Sequence, residues 1–85
     1  MEDELKEEER KIRRMRFLIN LTQSIIIQSD LSLREVLTLT EETKMAVLGL
    51  FPDKESVYDL IYAPRFSRLI YEKYGISKDL TDAIN

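Results

Sequence analysis

The stretch IIIQSDLSLRE, residues 25–35, decides how this chain folds. It opens with three consecutive β-branched residues, and a helix turns through about 100° per residue, so Ile25, Ile26 and Ile27 cannot all face one side. Asp30 and Ser32 then interrupt the helical pattern. Ser32 followed three positions later by Glu35 matches the capping box, in which the two side chains satisfy free backbone N–H groups at a helix start. The stretch therefore reads as the end of one helix, a short connection and the beginning of another.

Upstream of it, a single long helix is expected from about Glu2 to Ser29. Leu5, Ile12, Ile19 and Ile26 repeat every seven residues, and Met15, Leu18 and Ile25 widen the same stripe. Glu7 with Lys11 and Glu9 with Arg13 stand at i,i+4 in the favourable order, each pair worth about 0.2–0.5 kcal/mol. Residues from about 1 to 11 are too polar to be core and read as a charged extension of the helix.

Downstream, the second helix is expected to run from Ser32 towards Phe51, with Leu33, Val36, Leu37, Val47, Leu48 and Phe51 on one face. Thr40 and Lys44 fall in the middle of that face. Burying an ammonium is costly, so either the helix breaks near Leu39–Thr40, with Thr40 capping a new start, or the Lys44 stem lies along the apolar surface with its head in water. Pro52 ends this helix by disfavouring α geometry at Phe51, and Asp53 is placed to cap a short third helix, KESVYDLIYA, whose buried face is Val57, Leu60 and Ile61. Pro64 predicts a kink or tight turn before a fourth helix that ends at Gly75. Ile76, Leu80 and Ile84 lie at i,i+4 spacing in a loosely held tail of about residues 76–85.

The composition agrees with this pattern. Two glycines and two prolines among 85 residues leave little material for hairpins, while Leu, Ile, Glu, Lys and Arg are abundant. The expected fold is all-α: a small helical bundle of one long N-terminal helix and three or four shorter helices, in a single domain spanning residues 1–85. The chain holds no cysteine and no histidine, which removes disulfides, thiolate metal sites and the commonest metal ligand and general base. No glycine-rich phosphate loop and no calcium-loop spacing is present, and neighbouring acids such as Glu41 and Glu42 point about 100° apart on a helix. The sequence thus predicts a protein that is not an enzyme, with no cofactor and no metal. The acidic start is unlike a signal peptide, and no apolar run approaches the roughly 18 residues of a membrane span, so a cytoplasmic protein without a membrane partner is expected.

Two stretches suggest binding. In RKIRRMR, residues 10–16, the side chains of Arg10, Arg13 and Arg14 line the helix side opposite Ile12 and Ile19, and Phe17 continues that side. Such a face suits phosphates or an acidic partner, but Asp3 and Glu7 share it. In YAPRFSRLIYEKYG, residues 62–75, four rings alternate with cations. Placed on a helix, Phe66, Leu69 and Ile70 share one face while Arg65, Arg68 and Glu72 gather on the opposite one, which separates a core stripe from a solvated stripe instead of building a stacking platform. Tyr62, Arg65 and Tyr71 remain candidate contacts for a protein partner.

The leading expectation is a helical protein–protein interaction module that self-associates, most simply a homodimer with Ile12, Ile19 and Ile26 as its seam, or that binds a helical partner. The alternative is a nucleic-acid-binding regulator that sets Arg10, Arg13, Arg14 and Arg16 against phosphates. A net charge of −3 and a pI near 5.0 disfavour it, since phosphate binding usually draws on a basic excess.

Overall fold

The computed structural model describes residues 2–75, side chains from Asp3 onward, as three helices: α1 Glu2–Gln28, α2 Leu33–Leu50 and α3 Glu55–Tyr74. The expected tail at 76–85, with Ile76, Leu80 and Ile84, lies outside the described residues. The all-helical fold and the long N-terminal helix are as the sequence predicts; among the described residues two shorter helices follow it where three or four are expected.

The junctions of the first two helices follow from local chemistry. At the start of α2 the Glu35 N–H donates to Ser32 Oγ at 3.2 Å and the Ser32 N–H donates to Glu35 Oε1 at 3.0 Å, so both halves of the capping box are formed. Those bonds hold the Glu35 carboxyl below its ordinary pKa. At the far end Phe51, constrained by Pro52, leaves helical geometry at φ −133 and ψ 77. α3 starts one residue later than the sequence suggests. Lys54, not Asp53, occupies the cap position with no side-chain bond, and the turn is held instead by the Lys54 N–H donating to the Phe51 carbonyl at 3.0 Å. Gly75 ends α3 at φ 67, the left-handed geometry that a Cβ disfavours, and its N–H donates to the Tyr71 carbonyl.

Two expected breaks are absent. α2 runs unbroken through Thr40, whose hydroxyl donates to the Leu37 carbonyl inside its own helix. α3 runs unbroken through Pro64, so the expected third and fourth helices are one. Proline removes the N–H that would pair with the Leu60 carbonyl. Pro64 and Leu60 are both exposed, so water can reach that carbonyl and the helix continues.

Continuity changes which face of α3 is buried. Tyr58, Phe66 and Ile70 enter the core, with Tyr62, Leu69 and Tyr74 partly buried against it. The expected face is turned out: Val57, Leu60 and Ile61 are 40%, 77% and 45% exposed. From α2 come Val36 and Val47, and from α1 come Ile19 and Ile26, so the stripe expected as an oligomer seam is turned into the chain's own core. Ile12 is half-buried and Leu5 is 66% exposed. The core is crossed at one point by a polar contact, Thr22 with Thr43.

The helices run up, down and up. Where α1 ends, its last carbonyls have no helical partner. The ammonium of Lys73 on α3 accepts that role, donating to the carbonyl of Ile26 at 2.5 Å and to that of Ser29, while Tyr74 Oη donates to the Leu31 carbonyl at 2.5 Å. This closes one end of the bundle. The other end stays open, because α1 has 27 residues against 18 in α2, a difference of about 13 Å at 1.5 Å per residue. The N-terminal part of α1 overhangs there, and every side chain from Asp3 to Arg10 is exposed.

Candidate interaction surface

The open end holds an apolar groove of about 220 Å³. α1 contributes Ile12 and Met15, α2 contributes Val47, the turn after α2 contributes Phe51, and α3 contributes Val57, Tyr58 and Tyr62. Glu8 and Lys54 are its charged members, both exposed. The groove lies where α2 ends before Pro52 while α1 continues past it, so that Ile12, Met15, Val47 and Phe51 line it together. Its aromatic wall is internally packed, with Tyr58 5.9 Å from Tyr62 and 6.4 Å from Phe66 between ring centroids, both tilted. Arg65 places its guanidinium carbon 5.6 Å from the centre of the Tyr62 ring.

Beside the groove, Lys44 spans α2 and α3. Its ammonium lies 3.0 Å from Asp59 and 3.4 Å from Glu55, and its side chain is 22% exposed while both carboxylates are largely wet. The bond to Asp59 raises the Lys44 pKa against the opposing effect of desolvation. This resolves the alternatives the sequence leaves open at Lys44: the stem lies against apolar surface and the head reaches acids on the next helix. Burial pushes the neighbouring Tyr58 phenol up to about 12, with Lys44 pulling the other way.

The candidates named from the sequence are divided by the fold. Ile12 and Tyr62 meet in the groove, and Arg65 joins them through the Tyr62 ring. Ile19 and Ile26, at 3% and 0% exposure, are withdrawn from any outer surface. Arg10, Arg13 and Arg14 are exposed on α1, where Arg13 lies 3.8 Å from Glu9 in a solvated i,i+4 pair. Phe17 is 62% exposed further along α1 and Tyr71 46% exposed near the end of α3, and neither lines the groove. Sequence reasoning missed Met15, Val47, Phe51, Val57 and Tyr58 as one site. Phe51 carried the only local signal, an apolar residue beside a helix-ending proline.

Among the described residues no three acids gather as a metal could require, and no helix is long and apolar enough to cross a membrane. No family model matches the chain, and neither a curated protein nor a solved structure does.

Proposed function

We propose that this protein is a helical interaction module that binds another protein through the apolar groove at the open end of its bundle. One observation carries the reading: seven apolar or aromatic side chains from the three helices and the turn after α2 converge on a concavity of about 220 Å³ that the described residues leave unfilled. A cavity of roughly 150 Å³ already accepts a benzene-sized group, so this one accommodates an aliphatic or aromatic side chain. Burying such a group removes apolar surface from water on both partners, with affinity concentrated in a few contacts. The exposed arginines of α1 lie directly beside an acidic run that opposes phosphate.

A photo-crosslinking residue placed at Val57, which is exposed enough to leave the fold intact, tests the reading in cells. Protein adducts are expected at Val57 and not at the exposed Ser67 on the same helix. Equal labelling at both positions, or none at either, overturns it. Binding to mixed DNA or RNA at low salt that weakens steeply as salt rises would favour the phosphate reading instead.

A further inference from the structure

The overhang of α1 joins an acidic half to a basic half. Residues 3–9 hold five acids and one lysine; residues 10–16 hold five cations and no acid. Within the helix these halves meet only end to end. Asp3 and Glu7 are like charges at i,i+4, as are Arg10 and Arg14, and each such spacing disfavours the isolated helix. Among the described side chains of this stretch one ion pair forms, between Glu9 and Arg13, and it is long and solvated.

Among residues 3–10, which overhang the bundle, Leu5 is the one large apolar side chain. It stands seven residues before Ile12, hence on nearly the same side of α1, and lies past the end of the bundle, 66% exposed among the described residues. A second copy alongside in the same direction would set acid on acid and base on base. An antiparallel copy, related by a two-fold axis near residue 9, sets each acidic half against the partner's basic half. It also carries each Leu5 back towards the partner's Ile12 and the groove that Ile12 lines. In that orientation one contact pairs both halves of both copies, whereas a staggered parallel copy pairs only one half of each.

Resting on the reading of the groove as a docking site, we infer that its occupant is Leu5 of a second copy of this chain, held by antiparallel pairing of the two α1 overhangs. The contact is isologous, so one two-fold operation fills both grooves and neutralises both charge halves. Glu8 lies close to the axis, and Lys54 at the groove offers a cation to the partner's acidic half. Because each copy contributes only a few turns, the interface is small and the dimer belongs to the weak, reversible class. Screening of the charged halves makes it weaker in high salt.

Sedimentation of the full chain is expected to show a dimer at about 100 μM that dissociates on dilution and on adding salt. Leu5→Glu should weaken self-association about 100-fold or more with unchanged helicity, since Leu5 contributes nothing to the core. Two charge-reversed chains test whether the charged halves hold the pair together, in whichever direction it runs. Arg10→Glu/Arg13→Glu/Arg14→Glu and Asp3→Lys/Glu7→Lys/Glu9→Lys should each be monomeric alone and should dimerise when mixed.

Orientation is read by cysteine cross-linking, since the native chain has no cysteine. Glu8→Cys, near the axis, should form a disulfide dimer, and Asn20→Cys, more than two turns away, should not. A chain that is monomeric at every concentration, charge-reversed variants that pair like the wild type, or cross-linking at both cysteines would each overturn the proposal. Should a monomeric chain still give adducts to a different protein at Val57, the docking groove stands and only its occupant is wrong. If Val57 gives no adduct and the chain is monomeric, both fall.

Discussion

The hydroxyl oxygens of Thr22 and Thr43 lie 2.7 Å apart in the buried seam between α1 and α2, and each also lies within hydrogen-bond distance of a carbonyl one turn back in its own helix, Leu18 at 2.8 Å and Leu39 at 2.9 Å. Two protons serve three contacts. At any moment one hydroxyl donates across the seam and the other donates to its own helix, so the pair is satisfied in two equivalent ways and neither residue is indispensable to the other.

That degeneracy sets the cost of removing it. In Thr22→Val or Thr43→Val the surviving hydroxyl still donates to its own carbonyl, so each variant should lose about 1 kcal/mol or less. The double valine variant replaces both partners with apolar groups of the same shape and should be no less stable than either single variant. Urea unfolding of the four proteins as a double-mutant cycle measures this. A double variant that loses the sum of two large single costs would show that the cross-seam bond is a net contributor.

On α3 the fold places Phe66 at 2% exposure and Leu60 at 77%. Phe66→Ala should cost about 3–5 kcal/mol, because the ring leaves a cavity that its neighbours Tyr58 and Ile70 cannot fill. This is a large share of the roughly 5–15 kcal/mol that holds a typical domain. Leu60→Ala should fall within about 0.5 kcal/mol of wild type. Thermal melts of the two variants distinguish this register from one in which Leu60 faces inward, where their order would reverse.

The register of α3 also shows what the sequence makes legible. The capping box at Ser32 and Glu35, the stop at Pro52 and the left-handed Gly75 all rest on bonds within a few residues, and local pattern finds them. Apolar residues at 57, 58, 60, 61 and 62 surround the helix, so a short window cannot choose a face. Tyr58, Tyr62, Phe66 and Ile70, four apart, make the choice plain once the helix is allowed to pass through Pro64; treating that proline as a break cuts the stripe in two. The stripe of Ile12, Ile19 and Ile26 is equally visible in the sequence, but periodicity does not say whether a second copy or the chain's own helices cover it. The groove joins residues as far apart as Ile12 and Tyr62, and no local signal links them.

Alkaline titration should report the burial of Tyr58. Its phenol ionises at about 12 in the fold against an ordinary value of 10, so the folded chain holds this proton more tightly than the unfolded chain does. The stabilisation from Tyr58 is therefore complete below pH 10 and is lost as pH rises through 12, by at most about 3 kcal/mol. Lys44, whose pKa is also raised, loses its contribution in the same direction above its ordinary 10.5. Tyr58→Phe should flatten the tyrosine part of this decline and leave the lysine part. In wild type, tyrosinate absorbance should include a component that appears only near pH 12 and is missing from Tyr58→Phe; its absence from wild type would contradict the packing of Tyr58.

Pro64 is the residue at which local preference and global fold disagree most, and its replacement by alanine measures the disagreement. Alanine restores an N–H facing the Leu60 carbonyl and removes the clash of the ring with that carbonyl, a relief worth up to about 3 kcal/mol in a helix interior. It also frees the unfolded chain, which offsets about 0.4–1 kcal/mol. Both side chains face solvent, so the substitution opens no cavity in the core. Pro64→Ala should therefore raise stability by about 1–2 kcal/mol and slow amide exchange around Leu60. A variant no more stable than wild type would mean that α3 must bend at residue 64 to seat Tyr58 and Phe66 in one core, and straightening the helix would then shift the Tyr58 and Tyr62 wall of the groove.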